Sequence, residues 1–273
     1  MINLLKIEWL KIKNYTAFKI LAIFFGVGVI LVNYVVYIIN KNIISNSEGG
    51  KLLSFSPYSF DQTWQTTSYA TGYLLILPAM IIIMLISNEY QFKTNRQNII
   101  DGWSRSEFIT VKLSMALIIA IISTVLVFLT ALGFGFASGS SFSTEGISHV
   151  GYFFLKSLTY CVFAVLVSVI VKKTGFAIGV FFIYLAVENF ASQMLDMLSV
   201  KLKMDGKVDI GSAGDYLPLN AADGLLSFPD NTLKQLARNT LPTDYFWLVL
   251  GFAIAYLCLF TWWSTHKYLK ADL

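Results

Sequence analysis

The sequence has little charge for its length, and this excludes an ordinary soluble domain. Of 273 residues, 13% are charged and 56% are apolar, whereas soluble domains carry about a quarter charged residues. The net charge of +4 is small, and the basic residues of the sequence are scattered around the ends of apolar runs. No nucleic-acid partner is therefore indicated. The composition predicts a single transmembrane domain over residues 1–273.

Cysteine and histidine are scarce, which removes several kinds of site. Cys161 and Cys258 each lie inside an apolar run, so we expect buried, inert thiols rather than a disulfide or a thiolate metal site. His149 and His266 are far apart and fall on opposite predicted membrane faces. A histidine zinc site or a metalloprotease is therefore not indicated, and we predict no metal site.

Motifs for ATP binding and for intramembrane catalysis are missing as well. No stretch fits Gly-x-x-x-x-Gly-Lys-Ser/Thr, the loop whose amides and lysine cradle phosphates. The stretch Gly-Phe-Ala-Ser-Gly at 135–139 resembles the nucleophile region of rhomboid-type serine proteases, but that chemistry needs a histidine beside the serine. Since no histidine is predicted there, we expect the chain itself to be non-catalytic.

What the sequence has in abundance is long apolar runs. About 20 apolar residues are needed to cross roughly 30 Å of hydrocarbon. Six runs qualify, at residues 20–40, 66–88, 113–137, 150–171, 174–195 and 245–265. They are continuous rather than alternating, which favours helices over barrel strands. The first is too long for a signal peptide and lacks a cleavage site, so we treat it as retained. The predicted fold is an all-α polytopic membrane protein.

The basic residues set the orientation, because Lys and Arg of short segments lie on the cytoplasmic side. Only Lys41 and Lys51 occupy short segments on the opposite side, and the long fifth loop weighs little in this rule. Both termini are therefore predicted inside. The twelve residues assigned to the cytoplasmic side are Lys6, Lys11, Lys13, Lys19, Lys93, Arg96, Arg105, Lys112, Lys172, Lys173, Lys267 and Lys270.

The segment at 3–13 is predicted to be an interfacial helix. Helical spacing places Leu5, Trp9 and Ile12 on one face, with Lys6 and Lys13 on another. Such a helix lies along the inner leaflet, where its lysines meet anionic lipid. The alternative is a merely basic flank of the first span.

The second cytoplasmic segment, at 89–107, reads as a helix, a glycine stop and a second helix start at Ser104. Ile99, Ile100 and Trp103 are apolar residues that should face water, as a docking surface requires, with Arg96 and Arg105 at its rim. The alternative is that the apolar residues pack back against the protein's own spans.

Two charges fall inside predicted spans, Lys156 in the fourth and Glu188 in the fifth. Both lie roughly 10 Å from the outer face, and the turn between the two spans is short, so we expect them to form a pair. The alternatives are that Lys156 extends to the outer headgroups, or that Glu188 lines a substrate path alone.

The fifth loop, at 196–244, is predicted to fold onto the spans through short helices. The residues behind that prediction are Leu217, Leu225, Leu226, Phe228 and Leu233.

This layout resembles the permease subunits of type 2 ABC exporters, the ABC-2 type transporter family. The likeness rests on the interfacial helix, the six spans, the long outer loop and the segment between spans two and three. In that family, an acidic residue after span two and a Gly-x-Ser-Arg stretch belong to the region of the coupling helix, which contacts the ATPase. The corresponding residues here are Glu89, Gly102, Trp103, Ser104 and Arg105.

The resemblance implies partners and a task. A separate ABC ATPase would bind ATP and Mg²⁺, so that this chain holds no cofactor, and two permeases would form a homodimer or heterodimer. Gly26, Gly28, Gly175 and Gly179 would permit close helix approach in spans one and five. The substrate would be an amphipathic molecule, such as a lipid-like compound, a drug, a polymer or a peptide. It would be exported across a bacterial cytoplasmic membrane. One alternative is an ion-coupled secondary transporter, but such carriers commonly have repeated halves and the sequence shows no internal repeat. The other alternative is a non-transporting membrane assembly subunit.

Overall fold

The computed structural model describes residues 2–39, 58–100, 102–206, 209–229, 243 and 245–270. Within these residues every regular element is helical, and six helical segments are long and apolar enough to cross a membrane. The predicted all-α polytopic fold is thus confirmed. The helices are α1 Ile2–Lys13, α2 Thr16–Ile39, α3 Phe60–Gly72, α4 Ile76–Gln91, α5 Thr94–Ile100, α6 Arg105–Ala137, α7 Ser148–Val171, α8 Thr174–Met204, α9 Asn220–Asp223 and α10 Phe246–Lys270.

The spans cover the predicted runs but differ from them in length. α6 begins at Arg105 rather than at residue 113, and α8 continues to Met204 rather than ending at residue 195. The prediction counted only apolar residues, whereas helical hydrogen bonding continues into polar sequence wherever the side chains find water or partners. The predicted outer loop is therefore shorter than 196–244, and its residues 207–208, 230–242 and 244 lie outside the described residues.

The second span is one helix with a tightened turn. α3 and α4 are joined by a 3₁₀ turn at Tyr73–Leu75. Pro78 follows as the third residue of α4, and a proline removes the hydrogen bond to the carbonyl four residues earlier. The residue losing that bond is Leu74, inside the 3₁₀ turn, so the sequence itself explains the irregularity.

α7 is the central helix of the bundle. Of its most apolar stretch, 72% is buried, compared with 17% for α2 and for α10. Phe163 of α7 lies with its ring centroid 4.5 Å from that of Tyr184 on α8 and 5.1 Å from that of Phe260 on α10. α2 and α10 thus keep an apolar face for lipid or for another subunit.

α1 occupies the segment predicted to be interfacial. Ile12 is buried, Leu5 is half-buried and Trp9 is half-exposed. The three residues share one face, but it is turned toward α6 and lines an apolar cavity of about 500 Å³ with Met115 and Ile118. The placement of α1 at the membrane surface stays a prediction.

The outer segment, defined as residues 209–229, folds back against α7, α8 and α10. Leu219, Leu225 and Leu226 are buried there, while Leu217 and Phe228 are half-buried. The predicted contact of Leu233 lies outside the described residues. The segment therefore forms part of the membrane domain's packed interior rather than a tether.

Candidate functional site

The segment between α4 and α6 has the helix, break, helix form that the sequence predicts. Lys93, with φ of 58°, turns the chain after α4, and Gly102, with φ of 99°, ends the stretch that carries α5. α6 then starts with a capping box, in which Ser104 Oγ accepts from the Glu107 amide and the Glu107 carboxylate accepts from the Ser104 amide. The position of α5 is thus fixed at both ends by local sequence.

The exposed apolar residues of this segment differ from those predicted. Ile100 is 78% exposed, as the docking prediction requires, and Arg96 is exposed beside it. Phe92, which the sequence analysis missed, is 70% exposed. Trp103 is half-buried and packs against the protein's own core, and Ile99 is half-buried as well. We call Phe92, Arg96 and Ile100 the α5 surface.

Trp103 thus follows the alternative left open by the sequence, because its ring finds partners within the chain. Lys11 Nζ of α1 lies 5.6 Å from the Trp103 ring centroid. Arg105, predicted at the rim of a docking surface, donates from Nη1 to the Leu269 carbonyl at 3.1 Å. Both residues join the segment to the bundle, and Ser104 serves as the cap described above.

Glu89 is not on the docking surface, which corrects its predicted placement. It is buried in an ionic cluster that we call the α4 joint, made of Glu8 and Lys11 from α1, Glu89 from α4 and Lys112 from α6. Lys112 Nζ contacts Glu8 Oε2 and lies 2.7 Å from Glu89 Oε1. Lys11 Nζ lies 2.8 Å from Glu8 Oε1 and 3.1 Å from Glu89 Oε1. The two cations draw Glu89 inward, away from water.

The electrostatics of the joint favour the charged forms of Glu8 and Lys11. Burial raises the pKa of Glu8, but Lys112 and Lys11 outweigh this effect and hold that pKa below its usual value. Burial alone would lower the pKa of Lys11. Glu89 and Glu8 more than offset this effect, so the pKa of Lys11 lies above its usual value. Both shifts favour the charged forms of Glu8 and Lys11.

Neutral hydrogen bonds extend this joint to α8. Asn88 Nδ2 donates to Tyr15 Oη at 2.9 Å, and Asn88 Oδ1 accepts from Thr174 Oγ1 at 3.0 Å. The end of α4 is thus bonded to α1, to the α1–α2 turn, to α6 and to the start of α8.

The predicted pair of Lys156 and Glu188 is replaced by contacts with the outer segment. Lys156 Nζ lies 3.2 Å from Asp223 Oδ1, and Tyr160 Oη donates to Asp223 Oδ2 at 2.9 Å. Glu188 Oε1 accepts from the backbone amides of Leu219 at 2.6 Å and Asn220 at 3.0 Å. The prediction treated α7 and α8 as a hairpin alone, whereas the outer segment supplies a partner for each charge.

The residues that the sequence analysis missed carry weak signals. Glu8 is an acidic residue among the lysines of α1, three positions before Lys11. Lys112 was counted for topology, although it lies seven residues into the helix that starts at Arg105. Asp223 lies within Ala-Ala-Asp-Gly-Leu-Leu, an apolar stretch that indicates burial of the charge beside it.

The fold and the composition define a multi-pass membrane domain with a helical segment exposed between its second and third spans. A family model described as ABC-2 family transporter protein matches residues 4–188, from α1 through the first half of α8. This is more than half of the chain, and the chain belongs to the ABC-2 transporter family. No curated protein matches it.

Proposed function

We propose that this membrane domain is the permease of an ATP-driven exporter in a bacterial cytoplasmic membrane, and that a separate ABC ATPase docks on the α5 surface. The observation that carries the proposal is the exposure of Phe92 and Ile100 in water-facing sequence on the predicted cytoplasmic side. Exposed apolar residues with a polar neighbour such as Arg96 form the usual centre and rim of a protein interface. The ATPase would bind the ATP and Mg²⁺, and the cargo would be an amphipath.

The α4 joint supports the coupling part of the proposal. α5 lies between α4 and α6. Glu89 of α4 pairs with Lys11 of α1, Lys112 of α6 pairs with Glu8 of α1, and Glu89 and Lys112 also pair with each other. Because a buried cluster of ion pairs resists separation, an ATPase that moved α5 would move α4 and α6 with it. The motion would reach the membrane core through α7, which packs against both helices.

Affinity purification of the tagged chain from its native membranes tests the docking. The wild-type chain should carry an ABC ATPase with it. The double variant Phe92→Ser with Ile100→Ser should lose most of that ATPase, because the apolar centre of the contact is gone. Met204→Ser is the matched control, since Met204 is equally exposed but lies at the predicted outer end of α8. Full ATPase recovery with the double variant would overturn the assignment of the α5 surface.

A second permease copy is the further partner, either of this chain or of a related one. A Cβ added at Gly26, Gly175 or Gly179 would meet no heavy atom of the described residues within 4 Å, which would leave room for a neighbouring helix. Gly28 differs, because its added Cβ would lie 3.2 Å from the Leu74 side chain. A cysteine placed at Gly179 should form a disulfide-linked dimer in membranes. A purified complex with one permease per ATPase pair would contradict the dimer.

A further inference from the structure

We propose that the cavity beneath α1 binds one anionic phospholipid of the inner leaflet, with an acyl chain inside the cavity and the headgroup phosphate beside Lys6. The cavity has a volume of about 500 Å³ and lies between α1, the start of α2 and α6. Sites for small molecules commonly fall between roughly 300 and 1,000 Å³. The lining residues that matter here are Lys6, Trp9, Phe18, Met115, Ile118 and Ile122.

The lining of the cavity suits a hydrocarbon chain. Lys6 is the only charged residue among the described residues that line it, and the others are apolar or aromatic. A water molecule or a polar ligand would find few hydrogen-bond partners there. The ring centroids of Trp9 and Phe18 are 6.5 Å apart and join α1 to α2 along one side of the cavity. An alkyl chain gains free energy from burial against such a lining.

The cavity lies within the depth of one leaflet and opens toward the bilayer. Met115, Ile118 and Ile122 follow one another on one face of α6, and from first to last they cover about 10 Å of helix axis. One leaflet makes up about half of a hydrocarbon core of roughly 30 Å. Met115 is 5% exposed, whereas Ile122 is 57% exposed. The cavity is thus closed near the start of the span and open further along α6, where an acyl chain can enter.

The headgroup end of the site carries positive charge. The α4 joint holds one edge of α1 through Glu8 and Lys11. Lys6 and Lys13 lie on the opposite edge, at a spacing that returns a helix to nearly the same direction. Both are exposed, and neither forms an ion pair with a described residue. Lysines at the cytoplasmic membrane surface attract anionic headgroups. Charge complementarity therefore favours an anionic phospholipid over a zwitterionic one.

A bound phospholipid would support α1 on the edge that the α4 joint leaves free. Its chain would pack between α1 and α6, and its phosphate would lie beside the lysines of α1. The lipid would then be a stoichiometric part of the bundle rather than exchangeable solvent. The site needs the membrane domain and its predicted orientation, and it is independent of the docking of an ATPase on the α5 surface.

Native mass spectrometry of the delipidated full chain in detergent, without any ATPase, tests the site. The probes are palmitoyl-oleoyl phosphatidylglycerol, phosphatidylcholine with the same two chains, and glycerol phosphate. Phosphatidylglycerol should bind saturably, with one molecule per chain, and more tightly than the other two probes. Equal binding of phosphatidylcholine would overturn the charge argument. Equal binding of glycerol phosphate would show a free phosphate site instead of a lipid site.

A pair of tryptophan variants locates the acyl chain. Ile118→Trp fills the cavity and should abolish the bound phosphatidylglycerol. Ile121→Trp is the matched control, since Ile121 is also exposed on α6 but does not line the cavity. Equal lipid binding by the two variants would overturn the proposal. A lipid-free dimer that Ile118→Trp disrupts and Ile121→Trp leaves intact would assign the cavity to a second copy of this chain, and would also overturn it.

A pair of lysine variants locates the headgroup. Lys6→Gln should weaken phosphatidylglycerol binding about fivefold, the share of one lysine near an anionic headgroup, and should leave phosphatidylcholine binding unchanged. A merely structural lysine would affect both lipids alike. Lys267→Gln is the matched control, because Lys267 is exposed at the predicted cytoplasmic end of α10 and does not line the cavity. The same phosphatidylglycerol affinity for Lys6→Gln and Lys267→Gln would place the headgroup elsewhere and overturn the proposal.

Discussion

At the scale of single residues, buried charge is what organises this membrane domain. Lys112 is 2% exposed, yet it holds Glu8 and Glu89 from two other helices. The sequence signals such a residue poorly, because a lysine at the end of an apolar run looks like a topology marker. Only the packed structure shows that α6 begins earlier and carries this lysine inward. The same limit applies to Asp223. The sequence identified its partner Lys156 as a charge inside a span, whereas Asp223 itself lies in a predicted loop.

Removing Lys112 should therefore be severe. Lys112→Met leaves Glu8 and Glu89 buried without their shared cation, and breaking a buried ion pair costs about 3–5 kcal/mol. Thermal unfolding in detergent should show a large drop in Tm. Lys11→Met is the control, because the Lys11 side chain is partly exposed and Glu8 keeps Lys112, so its drop should be much smaller. Equal drops in Tm for the two variants would mean that Lys112 contributes no more to stability than Lys11 does.

The α4 joint also predicts a pH dependence of stability. The pKa of Glu8 is lowered on folding from 4.5, so its contribution is present above pH 4.5 and is lost as pH falls through the folded pKa. The pKa of Lys11 is raised from 10.5, so its contribution is present below pH 10.5 and is lost as pH rises further. Between these two limits Glu8 and Lys11 should add a constant contribution to the free energy of unfolding.

Glu8→Gln isolates the acid side of this behaviour. The wild-type Tm should fall below pH 4.5, and part of that fall should be absent in Glu8→Gln, which has no proton to gain there. Scanning fluorimetry from pH 3 to pH 7 makes the comparison. Parallel Tm curves for the two proteins over this range would show that Glu8 does not titrate with folding.

At the scale of elements, the sequence predicted the helices better than the connections. Apolar runs located all six spans because hydrocarbon thickness sets a minimum length. The turn between α4 and α6 was also predicted, since Gly102 and Ser104 are local signals. The outer segment could be predicted to fold back, but its contacts with Lys156 and Glu188 depend on tertiary packing that no local pattern encodes. For the same reason, the sequence left open whether Trp103 faces water or packs against the protein's own spans.

The capping box at the start of α6 gives a test at this scale. Ser104→Ala removes the side-chain acceptor of the Glu107 amide, and loss of such a cap costs about 1 kcal/mol. Hydrogen exchange should become faster in the first turn of α6, close to the α5 surface. Ser114→Ala, deeper in α6, should leave that turn unchanged, because Ser114 Oγ only donates to the Thr110 carbonyl. Equal exchange in wild type and Ser104→Ala would show that the cap is not needed.

At the scale of the whole molecule, the structure places two different environments on one bundle. The α5 surface and the α4 joint lie on the predicted cytoplasmic side, and the contacts of Lys156 and Glu188 with the outer segment lie on the predicted outer side. α7 connects them, since it packs against α3, α4 and α6 and carries Lys156. An ATPase docked on the α5 surface would thus act on the helix that also holds the outer segment.

The most direct test of this account is photocrosslinking in native membranes. Ile100 is replaced by a photoreactive amino acid in one strain, and Trp247, 80% exposed at the predicted outer end of α10, is replaced in another. After irradiation, adducts of the chain are identified by mass spectrometry. We expect an adduct with an ABC ATPase from position 100 and none from position 247. No ATPase adduct at position 100, or equal adducts at both positions, would contradict the docking of an ATPase on the α5 surface.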